Sequence, residues 1–120
     1  MIHELRLHNG PFEKIKNGTK TIEMRLYDEK RKLIKENDII EFINRSTNEK
    51  IRTKVLKLHL YDTFDELYKH FDNVSLGYEE NEVKNSKDME FFYSKEEQFQ
   101  YGVVGIEIKL IYFLSFISFP

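Results

Sequence analysis

Apolar and polar residues alternate in several short stretches of the chain, and this period of two predicts β-strands. The stretches are HELRLH at 3–8, KTIEMRLY at 20–27, DIIEFIN at 38–44 and VVGIEIKLIYF at 103–113. A longer stretch, IRTKVLKLHLY at 51–61, changes the parity of its apolar positions near Val55 without a turn signal. That change predicts a β-bulge, which would let the strand bend around a small barrel.

Three further segments carry helix signals. In NGPFEKIKNG, Pro11 suits the first helical position and Gly18 can end the helix in the left-handed conformation. TFDELYKHF begins with a capping-box pattern at Thr63 and spaces its apolar residues for an amphipathic helix as far as Phe71. A second capping-box pattern begins at Ser94. The predicted order is β-α-β-β-β-α-α-β, an α+β fold with a small barrel of about five to six mostly antiparallel strands flanked by helices.

The chain length of 120 residues fits one domain, predicted over residues 1–109. Residues 110–120 form an apolar C-terminal extension that is too short for a membrane helix, and it is a possible homodimer contact. The chain has no cysteine, and its N-terminus lacks the pattern of a signal peptide. These features predict a cytoplasmic protein with no membrane contact.

Charge is distributed unevenly along a chain whose formal net charge is −2. Residues 12–57 hold 13 Lys or Arg and 8 Asp or Glu, a balance of +5. Residues 58–120 hold 5 and 12, a balance of −7. An anionic ligand should therefore approach the first half of the chain, although charged strand faces also serve solubility alone.

The strand predicted at 21–27 carries the most informative side chains. Its parity places Ile22, Met24 and Leu26 in the core, and Thr21, Glu23, Arg25 and Tyr27 on the opposite face. Lys20 precedes the strand and could reach that same face. Arg can hold a phosphate or carboxylate by two hydrogen bonds, Glu can accept a hydrogen bond from an exocyclic amine, and a desolvated Lys can act as base or nucleophile. An ordinary salt-bridge ladder on a solvated face explains the spacing as well.

Other residues are weaker candidates for a binding site. Asp28 and Arg31 follow the same strand and could contact phosphate, or could simply pair with each other. Tyr93 and Tyr101 flank the late helix, where either ring could stack on a base or pack against the core. The four histidines are scattered and no cysteine accompanies them, so we expect no metal site, and no nucleotide-cofactor motif is present.

The segment Gly18-Thr19-Lys20-Thr21-Ile22-Glu23-Met24-Arg25 matches the G-x-K-x-x-E-x-R signature of the ASCH family, a branch of the PUA-like superfamily. The flanking segments also run as in small bacterial ASCH proteins: PFEKIKNGTKTIEMRLYDEKRKLIKENDIIEFIN, then Phe92-Tyr93-Ser94, then YGVVGIEI. The resemblance covers about residues 3–108. One departure is Asn37, where the family usually has Gly; Asn tolerates the left-handed conformation, so the turn should persist.

The resemblance implies a PUA-like barrel with a cleft for RNA, a nucleotide or a modified nucleobase, lined by Lys20, Glu23 and Arg25. One ASCH branch hydrolyses the acyl amide of N4-acetylcytidine, with a catalytic Lys at the position of Lys20 and a Thr where this chain has Glu23. A carboxylate cannot replace a hydroxyl there without changing the mechanism. Binding is therefore our first hypothesis. Amidohydrolysis with Lys20 and Glu23 as catalytic residues is the second, and an interaction module using the apolar tail is the third.

Overall fold

A computed structural model describes residues 1–111 of the chain. Five strands form one mixed sheet in the order β1-β3-β4-β5-β2, with β1 parallel to β3 and the other neighbours antiparallel. The strands are β1 Ile2–Leu7, β2 Ile22–Leu26, β3 Ile39–Asn44, β4 Lys50–Tyr61 and β5 Val103–Leu110. The predicted α+β class is confirmed, and the sheet is a curled half-barrel of the kind found in PUA-like domains.

The curl of the sheet comes from its longest strand. β4 pairs with β3 through its first half and with β5 along most of its length, and its register with β5 shifts between Val55 and Lys57. This irregularity confirms the predicted bulge, which bends a strand and increases its twist. The curl brings the two edge strands towards each other, and the Arg25 side chain on β2 donates to the Arg6 carbonyl on β1 at 2.9 Å.

Short helices cover the sheet: α1 Asn9–Lys16, α2 Phe64–Tyr68, α3 Asn73–Leu76 and α4 Lys95–Tyr101, with 3-10 turns at Arg31–Leu33 and Ser86–Phe91. The capping box predicted at Ser94 is complete, whereas at Thr63 only the N-cap bond of the predicted box is present. The Thr63 side chain accepts from the Glu66 amide, and Ser94 exchanges reciprocal bonds with Glu97. These caps satisfy amide groups that the first turn of a helix leaves free.

Three local predictions need correction. Helix α1 begins at Asn9, so Pro11 is its third residue. Helix α2 ends at Tyr68, because the chain turns there, and Phe71 packs against the core from outside the helix. Helix α3 lies in a segment expected to be a loop, and the Asp72 side chain caps it by accepting from the Ser75 amide.

The core consists of two clusters on the two faces of the sheet. One fills the half-barrel, around Phe12, Phe42 and Val55. The other lies beneath α2 and α3, where the even-numbered side chains of β2 meet Phe64 and Leu67. The predicted burial of Ile22, Met24 and Leu26 is confirmed.

The opposite face of β2 is more enclosed than its charged residues suggest. Glu23 is only 5% exposed, and Tyr27 on the same face packs against the cluster inside the half-barrel. The expectation of a solvated ladder is therefore wrong for Glu23. Both faces of β2 are covered. Helices α2 and α3 pack on the face of Ile22, and the curl of the sheet encloses the face of Glu23 together with Lys20, which the end of α3 holds in place.

The turns and the C-terminal strand agree with the sequence pattern. Gly18 and Asn37 both have positive φ, 88° and 74°, so Asn37 takes the left-handed conformation expected where the family has Gly. β5 ends at Leu110, which pairs with Thr53. The rest of the apolar extension, residues 112–120, and its suggested role as a dimer contact lie outside the described residues. Within residues 1–111, no helix is long and apolar enough to cross a membrane.

Candidate functional site

A cavity of about 360 Å³ opens on the side where the half-barrel does not close. Its lining comes from the end of β1, from α1, from β2, from the β3–β4 turn and from the segment between α2 and α4. Its size is at the lower end of the range for small-molecule sites. The polar and aromatic side chains of the lining include Arg6, His8, Lys20, Glu23, Arg25, Arg45, Tyr68, Tyr78, Asp88, Phe92 and Tyr93.

A buried ionic cluster of Lys20, Glu23 and Arg25 forms part of the cavity wall. The Arg25 Nε donates to Glu23 Oε2 at 2.7 Å, and the Lys20 Nζ lies 3.5 Å from Glu23 Oε1. The side chains of Lys20 and Glu23 are almost fully buried, and that of Arg25 is 12% exposed. One carboxylate thus stands between two cations, in a position that bulk water scarcely reaches.

The backbone fixes the lysine of this cluster. The Lys20 Nζ donates to the Ile22 carbonyl at 2.7 Å and to the Leu76 carbonyl at 2.9 Å. The neighbouring carbonyls of Ser75 and Gly77 accept from the Thr21 amide and from the Lys14 Nζ. The end of α3 therefore ties the signature segment in place through two carbonyls and holds α1 through a third.

Burial and charge act in opposite directions on the cluster. Burial lowers the pKa of Lys20, and Glu23 only partly offsets this effect. Burial would raise the pKa of Glu23, but Arg25 and Lys20 outweigh it and hold that pKa below its usual range. Burial likewise opposes the charge of Arg25, yet Glu23 and then Tyr93 raise its pKa. Glu23 is therefore a carboxylate at neutral pH.

Tyrosines and an aspartate form a second polar chain in the cavity wall. The Tyr68 and Tyr78 hydroxyls lie 2.8 Å apart, and the Tyr78 hydroxyl donates to Asp88 Oδ2 at 2.7 Å. Burial raises the pKa of both tyrosines, so both rings carry neutral hydroxyls. This wall combines aromatic surface with groups that can donate or accept.

The mouth of the cavity is cationic and aromatic. Arg6, His8 and Arg45 are exposed there, and the Phe92 ring lies with its centroid 6.0 Å from that of His8. Tyr93 lies deeper and stacks on Phe64 at 5.8 Å. The site thus changes from buried charge at the wall to exposed charge at the mouth.

The structure brings four of the predicted site residues into the cavity: Lys20, Glu23, Arg25 and Tyr93. The other four do not line it: Thr21, Asp28, Arg31 and Tyr101. Asp28 and Arg31 form an ion pair at 2.7 Å, and Tyr101 packs against the core cluster beneath α2. Thr21 engages α3 and β5 through its backbone.

Several lining residues carry no signal in the sequence that marks them as part of a site. Arg6 shares the polar parity of β1 with His8, but nothing local marks either as part of a site. Arg45 lies in the hairpin turn, and Tyr78 and Asp88 lie in a polar segment expected to be a loop. Only the curl of the sheet and the placement of α3 bring these residues together. Within residues 1–111, no three His, Cys, Asp or Glu side chains are grouped so that they could hold a metal ion.

The sequence pattern of the ASCH domain matches residues 5–112, which is most of the chain. The chain belongs to the ASCH domain family. ASCH domains are PUA-like modules often linked to RNA binding. The cavity of this ASCH domain contains the Lys, Glu and Arg of the family signature.

Two solved structures of Pyrococcus proteins support the assignment. A crystal structure of the hypothetical protein PH0355 is 36% identical, covers 92% of this chain and 100% of its own, and superposes with a TM-score of 0.78. The solution NMR structure of protein PF0455 from Pyrococcus furiosus is 33% identical in sequence, covers 94% of this chain and 100% of its own, and gives a TM-score of 0.69. No curated protein matches the chain. These solved relatives are archaeal and give no support to the bacterial origin that the resemblance suggested.

Proposed function

We propose that this ASCH domain binds a nucleobase, as part of a nucleotide or of RNA, in the cavity beside Lys20, Glu23 and Arg25. The observation that carries the proposal is the ionised, buried carboxylate of Glu23 in the wall of a cavity with aromatic sides and a cationic mouth. Such a site offers an acceptor for the base, flat apolar surface for its ring and positive charge for its phosphate.

Glu23 is the residue that reads the base. A carboxylate can accept about four hydrogen bonds, and here Arg25 uses one strong one while Lys20 approaches the other oxygen at 3.5 Å. Capacity therefore remains for an exocyclic amine or a ring N–H of the ligand. Arg25 and Lys20 hold the acceptor ionised and oriented, so little reorganisation is needed when the ligand enters.

The tyrosine wall completes the base pocket. The base ring packs against Tyr68, Tyr78 and Tyr93, and their hydroxyls offer partners to its polar edge. Phosphate lies towards the mouth, because Arg6 and Arg45 are there and the deeper Arg25 is already engaged by Glu23 and by the Arg6 carbonyl.

Calorimetric titration with the four ribonucleoside monophosphates tests this function. Gly10 lines the cavity, and a Cβ added there would meet nothing within 4 Å, so Gly10→Phe should obstruct the mouth without straining the fold. The control is Gln100→Phe, an exposed helical position outside the cavity. We expect binding by the wild type and by Gln100→Phe, and at least about tenfold weaker binding by Gly10→Phe. Equal affinity in all three proteins would contradict the proposal.

Hydrolysis of an N4-acylated cytidine-type nucleoside is the second candidate, favoured by the lowered pKa of the buried Lys20. Two features oppose it. The Lys20 Nζ already faces two carbonyl acceptors and a carboxylate, which suits an ammonium better than a free amine. Glu23 also occupies the position at which the hydrolytic branch has Thr.

Incubation of the protein with N4-acetylcytidine, followed by NMR of the ligand, separates the two candidates. Binding without release of acetate supports a binding module. Acetate release that disappears in Gly10→Phe but persists in Gln100→Phe would make the cavity an enzyme active site.

A further inference from the structure

The arginines of the chain divide into two groups by their partners. There are five, and Arg25, Arg31 and Arg52 each pair with a carboxylate at 2.7 to 2.9 Å. Arg6 and Arg45 make no salt bridge with any residue in the described range 1–111. These two arginines lie at the mouth of the cavity.

An exposed aromatic ring lies beside the same mouth. Phe92 is 53% exposed, its ring is close to that of His8, and it also meets Phe91 at 5.2 Å. A large apolar side chain left in water costs free energy, whereas it gains from stacking when a flat ring covers it. His8 and Phe92 together form a surface that we call the mouth platform.

We propose that the ligand is single-stranded nucleic acid: one base enters the cavity, the next stacks on the mouth platform of His8 and Phe92, and Arg6 and Arg45 contact the backbone. The inference rests on the proposed function and names its ligand class. Charge complementarity selects this occupant, since unpaired guanidinium groups beside an exposed ring suit a chain that alternates phosphates with aromatic bases. Of the two carboxylates in the lining, Glu23 is held by Arg25 and Asp88 accepts from Tyr78.

The proposed contacts are to bases and phosphates, which RNA and DNA chains share. The stack needs at least two nucleotides. A chain should therefore bind more tightly than a nucleoside monophosphate, and the gain should depend on Phe92.

Fluorescence anisotropy with fluorescein-labelled random octaribonucleotides and octadeoxyribonucleotides tests the inference, with unlabelled monophosphates measured by calorimetry. Phe92→Ala should weaken octamer binding by between about fivefold and 150-fold and should weaken monophosphate binding by a smaller factor. The control is Phe99→Ala, since Phe99 is 76% exposed and does not line the cavity. Phe99→Ala should bind as the wild type does.

The salt dependence of octamer binding tests the role of the two arginines independently. Replacing Arg6 or Arg45 with Ala should make the slope of log affinity against log salt shallower by about 0.7 for each arginine. The control Lys35→Ala removes an exposed charge outside the cavity and should leave the slope unchanged.

Several results would overturn the inference. The proposed stacking on the mouth platform would be contradicted if octamers bound no more tightly than monophosphates, or if Phe92→Ala and Phe99→Ala lost affinity equally. Either result would leave the proposed base pocket unaffected. A dimer in sedimentation velocity that Phe92→Ala dissociates would assign the platform to a second copy of the chain. Failure of octamers and monophosphates alike to bind would overturn the proposed function together with this inference.

Discussion

Two clusters in this domain contain the same three residue types in different surroundings. In one, Glu23 lies between Lys20 and Arg25. In the other, Glu41 on β3 lies 2.9 Å from Arg52 Nε and 3.9 Å from the Lys50 Nζ, both on β4.

Their burial differs sharply. The Lys50 and Arg52 side chains are 57% and 41% exposed, whereas those of Lys20 and Arg25 are 5% and 12% exposed. The outer cluster does not line the cavity of the candidate site, whereas the inner one does. Lys, Glu and Arg in proximity therefore do not make a site. In the inner cluster the two cations outweigh the burial of Glu23 and keep it ionised in the wall of the cavity.

Removal of the central carboxylate should give the largest difference in stability between the two clusters. Glu23→Gln leaves two buried cations without a counter-charge and should cost about 3–5 kcal/mol of unfolding free energy. Glu41→Gln loses a partly exposed interaction and should cost about 1 kcal/mol or less. Urea unfolding at neutral pH measures both. Similar losses in the two variants would contradict the distinction.

The second largest effect should be a loss of stability in acid, when Glu23 of the buried cluster is protonated. Because the pKa of Glu23 in the folded state lies below the value of 4.5 for a free Glu, its ionisation stabilises the fold above pH 4.5. This contribution is lost as pH falls through the folded pKa. Carboxyl carbon NMR of the folded protein should show Glu23 titrating below pH 4.5. A midpoint at or above 4.5 would contradict the account.

The lysine of the same cluster predicts a second rise of stability with pH, in the alkaline range. The pKa of Lys20 is lowered, so the unfolded chain binds more protons between the folded pKa and 10.5. This group alone therefore makes the fold more stable as pH rises through that window. Lys20→Met should remove that rise from the urea midpoints, whereas Lys50→Met should keep it.

The fourth effect concerns residues 75–77 at the end of α3, which hold Lys20 and Thr21 through their carbonyls and which we call the strap. Gly77 has φ of 101°, and a Cβ there would lie 3.0 Å from the Lys20 Cδ. Gly77→Ala should cost about 1–3 kcal/mol of stability through backbone strain and displacement of the lysine. Gly10→Ala provides the control, since its Cβ would meet nothing and its effect should stay within about 0.5 kcal/mol. Equal thermal stability of the two variants would show that the strap does not constrain Lys20.

The tyrosine wall should give the smallest change. Tyr78→Phe removes hydrogen bonds to Tyr68 and Asp88 and keeps the ring, so it should cost about 1 kcal/mol. Thermal unfolding monitors this loss. A cost of several kcal/mol would place the wall among the main determinants of the fold.

Much of the fold was predictable because strand faces, bulges and helix caps each depend on a few residues that are neighbours in the sequence. The alternation in β2 identified its core face, the parity change in β4 identified the bulge, and the caps at Thr63 and Ser94 marked two helix starts. The burial of Glu23 was not predictable in this way. Alternation places it on a polar face, and only the strap of α3 and the curl of the sheet enclose that face.

The site was predictable only in its central part. The signature segment carries Lys20, Glu23 and Arg25 within six residues of the chain. Arg6, Arg45 and Tyr78 reach the cavity from distant segments, and their approach depends on long-range strand pairing and on α3. The local alternation of apolar and polar residues does not predict which distant segments meet at the cavity.

The most direct test of the central claim follows two arginine side chains in one spectrum. The Arg25 Nε–H donates to Glu23 and the Arg52 Nε–H donates to Glu41, so the two groups report on the inner and outer clusters. On addition of cytidine monophosphate, we predict that the Arg25 Nε–H resonance shifts with saturation and that the Arg52 resonance stays in place. A shift of Arg52 with Arg25 unchanged, or no shift of Arg25 with any of the four ribonucleoside monophosphates, would contradict the assignment of the buried cluster as the base-reading site.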